Sequence, residues 1–368
     1  MGPYPVTNAN FAAPALDATE CVNLRASGAR CRRVRRGARA RAPARAWCGA
    51  RLIAPRRERG ERARKRAAHL TPRQPPPAPP PPPSPSPSPT IWIHYPLCNA
   101  SDCPKFPLIS YAHGAAGGDI DLLGYAHHFE RLASFGFVVA APDSCDVGCT
   151  DRRRGAPWTD CAGGLAPGGD WAPWFGEQLK AIDFVRNQSL ANASAPAFFR
   201  AIDWAAGVGV AGHSMGGQAS SVAASGGCAA RWDIRAAALI HPEIGALPDG
   251  RNSGANMSVP TAAFTSSGDS LCPPRTVAET MAAFNASAGA ALPSLYRNVE
   301  GWSHLEPVMG AFFENPLLAT YTAAWFKVFL GGAKAGDEFY DLLFGGGPDS
   351  ICRSETMVEC YALPRGAA

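Results

Sequence analysis

Residues 208–217 read VGVAGHSMGG, and QASSVAAS (218–225) follows. The apolar run at 208–211 predicts a strand buried on both faces, and the small-residue stretch after it predicts a helix. Gly212-His213-Ser214-Met215-Gly216 falls between them. A serine on such a turn is held in a strained backbone with its hydroxyl raised above the sheet. The glycines on either side let two segments of backbone cross closely. The G-x-S-x-G spacing is weak on its own and becomes specific only between a strand and a helix, as here. Ser214 is therefore the candidate nucleophile.

Short apolar runs recur on both sides of this turn, PLISYA (107–112), FVVAA (137–141), AAALI (236–240) and PTAAF (260–264), and YRNV (296–299) reads as a further strand. Between the first two, Leu122, Tyr125, Ala126, Phe129, Leu132 and Ala133 recur at helical spacing. Strand-like and helix-like segments in alternation predict an α/β fold, a mostly parallel sheet with helices on both faces. No internal repeat is visible.

A serine nucleophile needs a base, and the base needs an orienting carboxylate. In α/β-hydrolases the chain order is Ser, then Asp or Glu, then His. TSSGDSLCPP (265–274) places Asp269 on the loop after one strand, and EGWSHLEP (300–307) places His304 on the loop after the next. Glu300 and Glu306 are weaker rivals of Asp269. His241 precedes Asp269 and so falls in the wrong order, and His213 lies inside the turn itself. The charge that develops on a substrate carbonyl needs preorganised N–H donors. One is the backbone of Met215. The loop HGAAGG (113–118) supplies the other by position, at Ala115. These residues predict acyl transfer with no cofactor and no metal.

The net charge of +5 conceals a segregation. Residues 1–73 hold 17 Arg and one Lys against four acidic residues, leaving 17 basic against 26 acidic residues in 74–368. The acidic body argues against nucleic acid as a partner. The Arg- and Ala-rich head (1–73) has too little to bury and is expected to be disordered. Its composition also fits a transit peptide to a plastid and, less well for want of aromatic residues, a basic nucleic-acid arm; a wrongly placed start is a fourth reading. Residues 74–90, QPPPAPPPPPSPSPSPT, form a polyproline spacer, which leaves 91–368 as the catalytic domain. No apolar run is long enough for a membrane span; the longest, 316–330, is broken by Lys327.

Five of the eight Asn in 74–368 stand in N-x-[ST] sequons: Asn99, Asn187, Asn192, Asn256 and Asn285. That excess suggests a glycosylated, secreted protein. The same region has nine Cys, with close pairs at Cys98/Cys103, Cys145/Cys149 and Cys352/Cys360. Zinc spacing is missing, so disulfides are expected, with one Cys left over.

From about residue 104 to 361 the chain resembles the polyester hydrolases and bacterial cutinases of the α/β-hydrolase superfamily. Chlorophyllases and platelet-activating-factor acetylhydrolases are more distant relatives of the pattern. The resemblance rests on RLASFGFVVAAPD (131–143), GVAGHSMGGQA (209–219), VPTAAFTSSGDS (259–270), VEGWSHLEP (299–307), and YTAAWFKVFL (321–330) followed by DEFYDLLF (337–344). It implies an α/β-hydrolase fold, a triad of Ser214, Asp269 and His304, and an oxyanion hole at Ala115 and Met215. It also implies a Cys352–Cys360 bridge and a monomeric carboxylic-ester hydrolase. Gly114 and Glu243 are expected to border the substrate. The polyester hydrolases carry an aromatic residue where Ala115 stands and a Trp where Glu243 stands. Chlorophyllases carry Arg in place of Met215. The pattern therefore specifies the reaction better than the ester.

Overall fold

Adjacent residues along each central strand point into opposite hydrophobic clusters. Leu108, Val138, Val210, Ala237 and Ala263 lie in one cluster. Their neighbours Ile109, Val139, Ala211, Ala238 and Phe264 lie in the other. Side chains alternate across a strand, so apolar residues at both parities demand a sheet covered on both faces.

The computed structural model describes residues 24–25, 90–96, 104–114, 124–142, 172–191, 195–244, 253–287, 291–308 and 315–364. The chain divides into two units, 1–31 with 88–368, and 32–87; the sheet and its helices belong to the first. The strands are β1 (Leu24–Arg25), β2 (Thr90–His94), β3 (Leu108–Ala112), β4 (Val138–Pro142), β5 (Val208–His213), β6 (Ile234–Ile240), β7 (Thr261–Ser266), β8 (Ser294–Val299) and β9 (Met357–Leu363). They form one sheet in the order β1-β2-β4-β3-β5-β6-β7-β8-β9. The strands from β4 through β8 in that order pair in parallel. At the edges β2 and β9 pair antiparallel. Two residues of the head, Leu24–Arg25, pair antiparallel with β2. The rest of the head and all of the spacer but Thr90 lie outside the described residues.

The helices are α1 (Ala126–Ser134), α2 (Ala172–Ala191), α3 (Ala197–Arg200), α4 (Met215–Ala223), α5 (Gly226–Trp232), α6 (Pro274–Ser287), α7 (Pro316–Phe329) and α8 (Glu338–Phe344). Leu179, Ile182 and Val185 of α2, Ala219 and Val222 of α4, and Met281 and Phe284 of α6 cover one face of the sheet. Phe129 and Leu132 of α1, and Leu318, Tyr321, Trp325 and Phe326 of α7, cover the other. Each fully buried Leu, Phe or Met contributes roughly 1.5–3 kcal/mol. Asn315 caps α7, its side-chain oxygen accepting from the Leu317 amide at 2.9 Å. Pro316 takes the first turn, where an N–H would have no partner within the helix in any case. Among the described residues no helix is long and apolar enough to cross a membrane. Cys352 and Cys360 form a disulfide just before and within β9, and Cys272 is free and buried.

The order of strands reverses direction at β3. From there the chain steps outward through β4, then returns to the other side of β3 with β5 and continues to β8. In a sheet of this kind ligands usually bind beyond the C-terminal ends of the strands at such a reversal, here β3 and β5.

Candidate active site

β5 runs directly into α4 with Ser214 as the one residue between them. Its φ is 56° and ψ −123°, a left-handed backbone that an L-residue adopts only under constraint. The constraint is visible. The Ser214 amide donates to the Ile240 carbonyl at 3.0 Å, and its carbonyl accepts from the amides of Gly217 at 2.9 Å and Glu243 at 2.9 Å. The elbow is thus fastened to α4 and to the end of β6. Met215 opens α4, so its N–H has no partner within the helix.

Gly114 sits across from the serine: a Cβ there would lie 3.3 Å from the Ser214 Cβ and 3.1 Å from the His213 ring. The Gly114 amide donates to the Tyr125 hydroxyl at 3.2 Å, and that hydroxyl donates in turn to His213 Nδ1. The opposite ring nitrogen, Nε2–H, donates to the His304 carbonyl at 2.8 Å. This tautomer is neutral. Burial pushes His213 well below the ordinary histidine value, and its neighbours His304 and His241 push the same way. His213 therefore ties the His304 loop to the elbow without carrying charge.

Asp269 follows β7 and His304 follows β8, so both lie at the C-terminal ends of neighbouring strands. His304 Nδ1–H donates to Asp269 Oδ2 at 2.9 Å, which leaves Nε2 as the basic nitrogen. Asp269 Oδ1 accepts from the amides of Leu271 at 2.9 Å and Cys272 at 2.8 Å. Burial alone would raise the Asp269 carboxyl. Hydrogen bonds from His241, His304 and the Cys272 amide outweigh it and hold the group well below the usual carboxylate range. Ser214, Asp269 and His304 are all buried to within a tenth of full coverage.

The Cys272 thiol lies against the same centre and shares a hydrogen bond with the Ser214 side chain. Burial, with the charges of Asp269 and Glu243, pushes it up to about 12, so it remains a thiol. Leu271 and Leu305, each beside the acid or the base, are exposed large apolar residues.

Comparison with known proteins names no relative: no family model matches the chain, and no curated protein matches it.

Of the residues expected from sequence, Ser214, Met215, Gly114, Glu243, Asp269 and His304 are gathered at the C-terminal end of the sheet. Ala115 lies outside the described residues. Glu243 reaches the site through its backbone, and its side chain is exposed. Three residues that sequence order gave no reason to include are also there, Tyr125, His213 and His241, together with Glu306, the weaker rival of Asp269. His241 Nδ1 donates to Asp269 Oδ2 at 2.9 Å, and its Nε2 meets Glu306 Oε2 at 2.7 Å. Behind Glu306 stands the fully buried Arg297, whose Nη2 donates to Glu306 Oε1 at 3.3 Å and to Glu355. Asn315 Nδ2 donates to Glu306 at 2.8 Å and to Glu355 at 3.0 Å. His241, Asp269 and His304 present polar atoms within 4.8 Å of one another. Those atoms are hydrogen-bonded together, both imidazoles meeting Asp269 Oδ2.

Proposed function

We propose that the chain is a serine carboxylic-ester hydrolase of the α/β-hydrolase superfamily, of the cutinase and polyester-hydrolase type. One observation carries the reading. Ser214 is held in a left-handed backbone between β5 and α4, and the hydrogen-bonded pair Asp269–His304 stands at the ends of β7 and β8 on the same side of the sheet.

In the proposed reaction the Ser214 hydroxyl attacks the ester carbonyl while His304 Nε2 takes its proton. The N–H groups of Met215 and Ala115 stabilise the oxyanion of the tetrahedral intermediate. Collapse expels the alcohol, which receives the proton from His304, and leaves an acyl group on Ser214. Water, deprotonated by His304, releases the acid. Asp269 stabilises the imidazolium throughout. The exposed Leu271 and Leu305 beside the acid and base favour an ester with an apolar portion. The Cys352–Cys360 disulfide and the sequons support secretion.

A fluorophosphonate probe tests the reading. Labelling of the full-length protein that disappears in Ser214→Ala supports it, and labelling that survives the substitution overturns it. Turnover of p-nitrophenyl esters with none of the matching anilides then separates esterase from amidase.

A further inference from the structure

We propose that His241 is a standing imidazolium that sets the charge against which His304 works, a positioning residue one step behind the proposed triad. The inference rests on the hydrolase reading of the site.

The geometry carries it. His241 directly follows β6, fully buried, with each ring nitrogen on a carboxylate: Asp269 at 2.9 Å and Glu306 at 2.7 Å. An ionised carboxylate can only accept, and a neutral imidazole has only one N–H to donate. Two donated bonds therefore require both nitrogens to be protonated. Its other neighbours do not supply that charge. His213, from β5, lies 6.2 Å away by ring centroids and is held as a neutral tautomer, and His304 lies 5.9 Å away on the far side of Asp269. Burial alone would lower His241, but the hydrogen bonds and charges of Asp269 and Glu306 raise it above its ordinary value. Glu306 is correspondingly lowered: its burial is outweighed by His241 and Arg297. The backbone also departs from the ordinary here. His241 has φ 41° directly before Pro242, a strained conformation, and its amide donates to the Phe264 carbonyl at 2.7 Å.

Counting charge gives the consequence. Asp269, Glu306 and Glu355 are negative, and His241 and Arg297 are positive, which leaves one excess negative charge around His304. Protonation of His304 during the reaction neutralises the cluster. Without His241 the excess would be two, and a positive charge developing on the His304 ring would be favoured more strongly. His241 thus offsets one of the carboxylate charges that face His304 while Asp269 still orients the ring.

The test uses full-length protein with ¹⁵N-labelled histidine, a workable set of eight side chains. The His241 signal, assigned by its loss in His241→Gln, should show two protonated ring nitrogens from pH 5 through 8. A neutral pattern at pH 7 overturns the proposal; this readout needs no activity, and the assignment needs only a His241→Gln protein whose other histidine signals are unmoved. Kinetics supply the second arm. The acid limb of kcat/KM should move up by about one pH unit in His241→Gln, the size expected for removing a nearby opposite charge. In Glu306→Gln, which disturbs the same cluster but removes negative charge, the limb should stay or move down. Displacement of both variants in the same upward direction would mean that loosened packing, not charge, is responsible. Fluorophosphonate labelling of the same samples keeps the two readings apart. A wild type that does not label overturns the hydrolase reading and with it the kinetic role, whereas one that labels but shows neutral His241 overturns only the present proposal.

Discussion

A methyl group at position 216 would fall 2.1 Å from the Ala112 carbonyl oxygen and 2.4 Å from that of His113. One at 212 would fall 2.2 Å from the Gly216 carbonyl oxygen. These are backbone atoms held in the sheet and the helix, so they cannot give way. Gly216→Ala should therefore cost about 1–3 kcal/mol of stability through overpacking and displace Ser214 from its turn. The expected outcome is a lower melting temperature together with loss of probe labelling; a variant that keeps both unchanged would contradict the close crossing. The need for those glycines was legible in the sequence, because G-x-S-x-G states it locally. The roles of His241 and Glu306 were not. His241 meets partners 28 and 65 positions away, and only the parallel register of β6, β7 and β8 brings them together. Chain order, the one rule available beforehand, argued against His241 as the base and was silent about it as a neighbour of the acid.

At the level of elements, the five apolar runs and YRNV read as strands each contain or overlap an observed strand, since most buried parallel strands advertise themselves as runs of Val, Ala and Ile. The antiparallel edges were less visible. β9 carries Glu359 and Cys360 and is largely half-exposed, so it shows no apolar run. α2 is equally hard to read in the sequence, because its apolar residues do not gather on one sharp stripe. The packing of α7 on the sheet gives a direct test. Phe326 is fully buried against β5, where a Cβ on Gly209 would lie 2.5 Å from its ring. Phe326→Ala should cost about 3–5 kcal/mol by chemical denaturation, because the flat glycine surface beneath cannot refill the space. The sequons divide in the same local terms. Asn187 is exposed on α2, whereas the Asn285 amide nitrogen donates to the Tyr361 hydroxyl at 3.0 Å and ties α6 to β9. In a secretory host, mass spectrometry should find glycan on Asn187 and little on Asn285.

For the molecule as a whole, buried histidines govern the response to pH. Burial holds His94, His113 and His128 down to about 4, and His213 is also depressed. In the unfolded chain each returns to about 6.5. Between those values the unfolded state binds protons that the folded state refuses, so stability present above 6.5 is lost as the pH falls toward 4. His241 acts in the opposite sense: raised when folded, it favours the folded state below 6.5 and loses that contribution as the pH climbs through its folded value. Four groups outweigh one. Asp269 and Glu306, both depressed, add a further loss below about 4 as they take up protons. The melting temperature should accordingly decline from pH 7 to 4, and replacing His128 with Gln should make the decline shallower. A melting temperature that rises over that interval would show that these histidines are charged when folded.

Leu108 of β3 pairs with Val208 of β5, one hundred positions along the chain, while β4 occupies the other flank of β3. This seam holds Gly114 on one side and Ser214 on the other, and it closes only after the longest detour in the sheet. Bringing such distant segments together is the slow part of folding, because the entropy of a long loop must be lost before any contact compensates for it. Helices and local turns form far sooner. During refolding from denaturant, far-ultraviolet circular dichroism should therefore recover before the ability to capture a fluorophosphonate. Newly made chains would pass through an interval in which they are largely structured and wholly inert, and the moment at which the serine becomes reactive would mark the time of that last closure.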